Sequence, residues 1–346
     1  MKNIKIILAS ILSLFVVSAS NAGELSVTGS VKASISNGSG MSTDGGNTLG
    51  ISNDIDFNAS GELENGWTWT WQAQMDGASA NTSTSGIDDT RLVLGTSYGN
   101  IGLFGTEGGL NAKHSGSQNA IGVGSSFNSS GGITDADDIG GVNNIQYHTP
   151  AGLLPLGTTI KVAYGLGGSE TTDGGDATAA ARTWKDARSY AVDLSPIDGL
   201  TLGATYYTIA TQSTTADSNQ KAESGAYYAA YKIGQVGLGY SRNVRVPAHR
   251  STAAGTAGND VYTHYLTDSY SIGYVMDNLS ISYGYETSER NLITDATQYD
   301  TKIDTIQAAY TTGGMTISTF LKDIENASYT NNNDAEEFGV ILAIAF

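Results

Sequence analysis

The chain has 346 residues, no cysteine and only four prolines. Without a thiol it can build neither a disulfide framework nor a thiolate metal site. Basic residues are scarce as well: 17 Lys and Arg stand against 34 Asp and Glu, a formal net charge of −17. So acidic a surface repels nucleic acid and gathers cations, which excludes a DNA or RNA partner. The four histidines, His114, His148, His249 and His264, show no zinc-ligand spacing. The single Gly-x-Ser-x-Gly run, Gly95-Thr96-Ser97-Tyr98-Gly99, falls at the turn between two alternating strands and not at a strand-to-helix turn, so it is no nucleophile elbow. His264 with Asp268 is the nearest approach to a catalytic pair, and no nucleophile pattern accompanies it, so the reading is not an enzyme. Beyond the first 22 residues no apolar run approaches the ~20 residues that a helix needs to cross a bilayer.

At the N-terminus, Lys2 and Lys5 precede an apolar stretch of 12 residues, Ile6 to Val17, too short to span ~30 Å of hydrocarbon. Ser20-Asn21-Ala22 follows, with small residues at the −3 and −1 positions of a cleavage site. The pattern predicts a secretory signal over 1–22 and a single domain over 23–346. Removal of Lys2 and Lys5 makes the remaining chain two units more negative. An exported chain without cysteine must be stabilised by its sheet alone, which a closed barrel can do. Tyr outnumbers Phe by 19 to 7 and Gly reaches 44. Tyrosine, with an apolar ring and a polar tip, suits a membrane interface.

Hydrophobicity alternates with period two along the chain. At its end Phe338, Val340, Leu342, Ile344 and Phe346 share one parity, with Gly339, Ile341, Ala343 and Ala345 between them. Trp67, Trp69, Trp71, Ala73 and Met75 oppose Thr68, Thr70, Gln72, Gln74 and Asp76 after a tight turn at Glu64-Asn65-Gly66. Ile51, Ile55, Phe57 and Ala59 oppose Ser52, Asp54, Asp56 and Asn58. Two-faced strands of this kind separate lipid from a wet or packed interior. Sixteen such strands can be marked out. Their connections alternate between short turns (63–66, 99–100, 150–157, 196–199, 234, 277–278, 313–314) and long polar loops (37–48, 77–89, 107–141, 167–186, 211–222, 247–260, 289–298, 326–334). All four prolines, Pro150, Pro155, Pro196 and Pro247, are expected in connections, since proline donates nothing to a ladder. The fold class is all-β: a transmembrane antiparallel up-and-down barrel of 16 strands. The loop over 107–141 is out of proportion to the rest, and structureless loops of that length in compact folds are usually functional.

Three motifs carry a family resemblance. Asp89-Thr90-Arg91-Leu92 followed by Tyr98-Gly99-Asn100-Ile101-Gly102-Leu103-Phe104-Gly105 resembles the fourth–fifth strand hairpin of general trimeric bacterial porins. Asn143-Asn144-Ile145-Gln146-Tyr147-His148-Thr149-Pro150 resembles their sixth strand, and the terminal Phe346 resembles their sorting signal. The resemblance covers the whole mature chain. It implies a homotrimeric, water-filled channel in the outer membrane, bounded by lipid, whose third long loop folds inward and narrows the pore.

In that family the inward loop sets acids across from bases on the wall. Carried over, the acids are Asp135, Asp137 and Asp138, with Glu107 at the root of the loop. Strand parity places Arg91, Lys32, Lys161 and His148 on the lumenal face. Two positions that are commonly basic in the family are Thr106 and Ser30 here, which leaves acids in excess. The expected function is passive diffusion of ions and small hydrophilic solutes with a preference for cations. A solute-specific channel for a sugar or phosphate, and a surface adhesin or surface-layer protein, are the alternatives. The stretch Asp135-Ala136-Asp137-Asp138-Ile139-Gly140 imitates the start of a calcium loop, but Ile139 and Gln146 occupy its fifth and twelfth positions, so it is no EF-hand. No cofactor is expected, and a loosely held Ca²⁺ between loop carboxylates is left open.

Overall fold

The computed structural model describes residues 23–39, 46–77, 86–105, 107–110, 133, 136–168, 183–212, 222–246, 262–292 and 298–346. The predicted signal segment lies outside them, as do Thr106, Asp135, His114, His249 and Pro247. Sixteen strands form one closed sheet. They are β1 (Glu24–Ser39), β2 (Gly46–Glu62), β3 (Thr68–Gly77), β4 (Gly86–Thr96), β5 (Gly99–Gly105), β6 (Asn144–His148), β7 (Thr159–Gly168) and β8 (Thr183–Ile197). The second half is β9 (Leu200–Gln212), β10 (Ala222–Ile233), β11 (Val236–Val246), β12 (Tyr262–Met276), β13 (Leu279–Leu292), β14 (Thr301–Thr312), β15 (Met315–Glu325) and β16 (Ala335–Ala345). Each strand pairs antiparallel with its sequence neighbours, and β1 closes on β16 with Val31 opposite Ile344 and Ile35 opposite Val340. Closure leaves no sheet edge within the hydrocarbon and satisfies the ladder internally.

Alternation decides which side chains face which solvent. Leu25, Val27, Ile51, Leu103, Leu238, Ile272, Ile306, Leu321 and Phe338 are exposed on the outer face. Residues of the opposite parity on these and the neighbouring strands point inward, and many are polar: Lys32, Asp54, Gln72, Ser241, Thr267, Ser269 and Gln307. Several strands run three or four residues further into the polar connections than the apolar pattern suggests. β1 reaches Ser39, β8 starts at Thr183 and β13 reaches Leu292. Ladder bonds above the membrane need no apolar side chain, so hydropathy underestimates strand length there.

One expectation needs correction. Pro196 is not in a connection but within β8, where the register with β9 shifts between Leu194 and Ile197. A bulge is the one interior position where the missing N–H of proline costs no ladder bond.

The two halves of the inner wall differ. On β8 to β15 small hydroxyl side chains are buried, with Ser189, Ser241, Thr267 and Ser288 all at 1% or less exposed. On β1 to β4 the side chains of Lys32 and Arg91 are both 43% exposed. The accessible lumen therefore lies against the wall of β1 to β4.

Candidate pore constriction

Both legs of the connection between β5 and β6 enter the barrel. Leu110 on the outgoing leg and Ile139 and Val142 on the returning leg are buried against the inward side chains Ala163, Ala187, Ala191, Tyr207 and Ile209 of β7 to β9. Nonpolar contact with the lumenal face is what keeps this connection from extending into external water. Further out along the same connection, Ile133 packs on Ile303, Ile324, Ala327 and Ala335, near β14 and β15. The described part of the connection thus crosses the lumen.

Its root is held by side-chain amides of β6. Asn144 Nδ2 donates to the carbonyls of Glu107, Ile139 and Val142 at 3.0, 3.3 and 2.8 Å. Gln146 Nε2 donates to the carbonyl of Gly108 and to Asn144 Oδ1. Gly108 has φ +82°, and a side chain there would meet the Phe104 ring at 2.5 Å, so both conformation and space demand glycine.

The candidate acids have distinct places. Asp138 caps the single 3-10 turn Ile139–Gly141: its Oδ1 accepts from the amides of Leu110 at 2.9 Å and Ile139 at 2.6 Å. That carboxylate oxygen is engaged within its own connection. Asp137 reaches the opposite wall, where its amide donates to Ser224 Oγ of β10 at 3.0 Å and its Oδ2 meets Arg245 Nε of β11 at 2.9 Å. Glu107 Oε2 stands 3.5 Å from Arg91 Nη1 of β4. Burial pushes the Glu107 carboxyl above the ordinary carboxylate range; the Arg91 guanidinium works against this, and Asp89 and Asp56 add to it.

The candidate bases all sit on lumenal parity, and Lys32, Arg91 and Lys161 each stand beside a carboxylate. Lys32 Nζ is 3.6 Å from Asp54 Oδ2, and Lys161 Nζ is 3.5 Å from Asp193 Oδ2. His148 Nε2 lies 2.8 Å from Gln146 Oε1. Among the ion pairs of the described residues, neither Asp137 nor Asp138 meets Lys32, Arg91 or Lys161, and Asp137 pairs with Arg245.

Three lumenal residues were absent from the sequence reading of the site: Asp54 and Asp193 beside the lysines, and Arg245 beneath the loop. Asp56 belongs with them, since Gln72 Nε2 donates to its Oδ1 at 2.8 Å on the same wall. The alternation opposite Ile51 and Ile55 was the available signal for Asp54 and Asp56. Among the described residues no group of three or more His, Asp or Glu could hold a metal ion. His264 and Asp268 do not form a catalytic pair, for four residues along a strand separate them by about 13 Å. Asp268 is instead held on the outer face by Arg242 Nε at 2.7 Å and the Tyr240 hydroxyl at 2.9 Å.

Comparison with solved structures places this barrel among known ones. OmpF of Salmonella typhi, solved in complex with daunomycin, superposes with a TM-score of 0.69 at 16% identity, covering 94% of this chain and 98% of its own. An anion-selective porin from Comamonas acidovorans gives 0.67 at 13% identity, covering 94% and 100%. OmpT of Vibrio cholerae, an outer membrane protein in its trimer form, gives 0.62 at 13% identity, again covering 94% and 100%. A search of curated proteins finds no match. The sequence model of the Gram-negative porins matches residues 8–343. With a 16-stranded closed barrel, a loop folded across its lumen and a family match over nearly its whole length, the chain belongs to the Gram-negative porin family and forms an outer-membrane channel.

Proposed function

We propose that this porin is a general diffusion channel for ions and small hydrophilic solutes, that it prefers cations, and that it works as a homotrimer after cleavage behind Ala22. The observation that carries the cation preference is the charge on the accessible wall. Asp54, Asp56, Asp89 and Glu107 lie on or beside β2 and β4, whereas Lys32 and Arg91 are the facing bases, each already beside a carboxylate. Fixed charges in a narrow, low-dielectric passage act on ions more strongly than charges on the outer surface. The anion-selective porin among the similar structures shares the fold at 13% identity, and fold does not carry ion preference.

The solute-specific alternative for sugars rested on the abundance of tyrosine. Tyr190, Tyr206, Tyr227, Tyr231, Tyr270, Tyr274, Tyr283 and Tyr310 are exposed on the outer face, where they serve a membrane interface rather than a lumenal ladder. Their distribution also supports the trimer. They lie on β8 to β14, while β1, β2 and β16 present Leu25, Val27, Leu49, Ile51, Phe338 and Val340 without a tyrosine. A tyrosine-free apolar face suits a subunit contact better than a lipid boundary. The OmpT structure of trimer form gives a precedent for such an assembly in this fold.

A reversal-potential measurement in a planar bilayer under a KCl gradient tests the reading. Cation preference is expected, weakened by Asp54→Asn and Asp56→Asn together. Anion preference in the unmodified protein would overturn it, and so would a protein that inserts but does not conduct.

A further inference from the structure

The connection between β15 and β16, residues 326–334, is folded down into the barrel mouth and not out into solvent. Ala327 and Tyr329 are 1% and 5% exposed. The Tyr329 hydroxyl lies 2.9 Å from Ser288 Oγ of β13, and its ring stands 5.6 Å from that of Tyr265 on β12. The Arg290 guanidinium sits over the same ring, 5.2 Å from its centre. From β14, Thr301 Oγ1 donates to the Asn326 carbonyl at 2.9 Å and accepts from the Tyr329 amide at 3.0 Å.

Asn326, Ser328, Tyr329 and Asn332 all have φ between +51° and +60°, a region that non-glycine residues occupy only when their surroundings over-determine it. Asn326 and Asp334 supply that over-determination. The Asn326 amide donates to Asp334 Oδ1 at 3.0 Å, and Asn326 Oδ1 accepts from the Asn332 amide at 3.1 Å. A connection so strained and so heavily bonded is a fixed block, not a loose external loop.

What rests on this block is the loop from the other side of the barrel. Ile303, Ile324, Ala327 and Ala335 form one buried apolar cluster, and Ile133 of the β5–β6 connection packs on it. Three of these belong to β14, β15 and β16, and Ala327 belongs to the block itself. Asp137 fastens the connection to β10 and β11, and Ile133 is a further attachment, well removed around the wall.

We infer that the β15–β16 connection is a positioning element of the pore: with Tyr329 as its anchor, it fixes how the β5–β6 loop lies across the lumen through the seat it gives Ile133. Neither Tyr329 nor Ala327 need touch a passing solute for this. The inference rests on the channel reading above, and its failure is separable from the failure of that reading.

Single-channel recordings of purified protein decide it. Ile133→Ala and Tyr329→Ala should each raise conductance and open-channel noise relative to the unmodified protein, since each removes one end of the same fastening. Combined, they should give no more than the larger single effect. Ile133→Leu, which keeps an apolar side chain of similar volume, should behave as the unmodified channel, and Tyr329→Phe should lie between it and Tyr329→Ala. Heat-modifiability on gels confirms that each barrel is intact, and Ile133→Ala leaves every strand unaltered should Tyr329→Ala fail to fold. Unchanged conductance in Ile133→Ala, or additive effects in the double variant, would overturn the positioning role. An unmodified protein without conductance would instead overturn the channel reading.

Discussion

Gly29 and Phe346 exchange two backbone hydrogen bonds, each 2.9 Å long, and so close the barrel at its seam. The terminal ring lies across Gly29: a side chain there would come within 2.9 Å of Phe346 Cζ and 2.5 Å of the Asp54 carbonyl. The last residue of the chain is thus paired and packed at the same point.

Both partners should matter for assembly. Gly29→Val forces either the terminal ring or the β1–β2 ladder to shift, an overpacking that typically costs ~1–3 kcal/mol. Deleting Phe346 removes both backbone bonds to Gly29. Each variant should be processed normally yet give less heat-modifiable barrel in outer-membrane fractions. Unchanged yield from both would show that the seam tolerates a break here.

The pair of Arg245 and Asp137 should hold the β5–β6 loop against the far wall. The Arg245 side chain is only 9% exposed, so truncating it leaves Asp137 without its guanidinium partner in a largely dry place. Breaking the pair from one side weakens the local attachment of the loop. Arg245→Ala should make the loop a target for limited proteolysis and raise conductance, with the barrel still closed. Arg245→Lys keeps the charge but not the planar fork and should be intermediate.

Alternation was enough to find the strands and their closure, because lipid outside and polar side chains inside impose opposite demands on neighbouring residues. It also told which residues face the lumen: Lys32, Arg91, Lys161 and His148 were legible by parity alone. What parity could not give was partnership. Asp138 is an acid in an acidic stretch until the backbone shows it capping the turn at Ile139. Arg245 is one more inward residue until the loop brings Asp137 onto it from 108 residues away. Such pairs depend on how a long connection crosses the barrel, and neither periodicity nor family motif encodes that path.

Acid should weaken the cation preference earlier than an ordinary carboxylate would. Burial, with Asp89 and Asp56 nearby, raises the Glu107 pKa, while Arg91 only partly offsets this. A raised carboxyl pKa means that the proton binds as pH falls into the upper carboxylate range, before unperturbed groups titrate. Folding is favoured below that point and the cost of burying the charge appears above it. Protonating Glu107 makes the wall less negative. Reversal potentials recorded from neutral pH downward should show this early step in the unmodified channel and lose it in Glu107→Gln. A single late step in both would assign the titration to other groups.

Removing the base from the same pair should have the opposite effect and a clear salt signature. Arg91 is exposed enough to face water, and its partner Glu107 lies 3.5 Å away, so Arg91→Ser uncovers an acid on the accessible wall. Loss of the guanidinium also raises the Glu107 pKa further, since Arg91 is the group that lowers it. The comparison therefore belongs at mildly alkaline pH, where the carboxylate is charged in both proteins. Screening then separates a pore charge from a change of pore width. The Debye length is ~10 Å at 0.1 M salt and ~3 Å at 1 M, so an electrostatic effect across a narrow lumen fades with concentration and a steric one does not. Arg91→Ser should increase cation preference in dilute KCl and differ little from the unmodified channel in molar KCl. An equal shift at both concentrations would mean that the substitution widens the passage, leaving the charge of Arg91 without a part in selection.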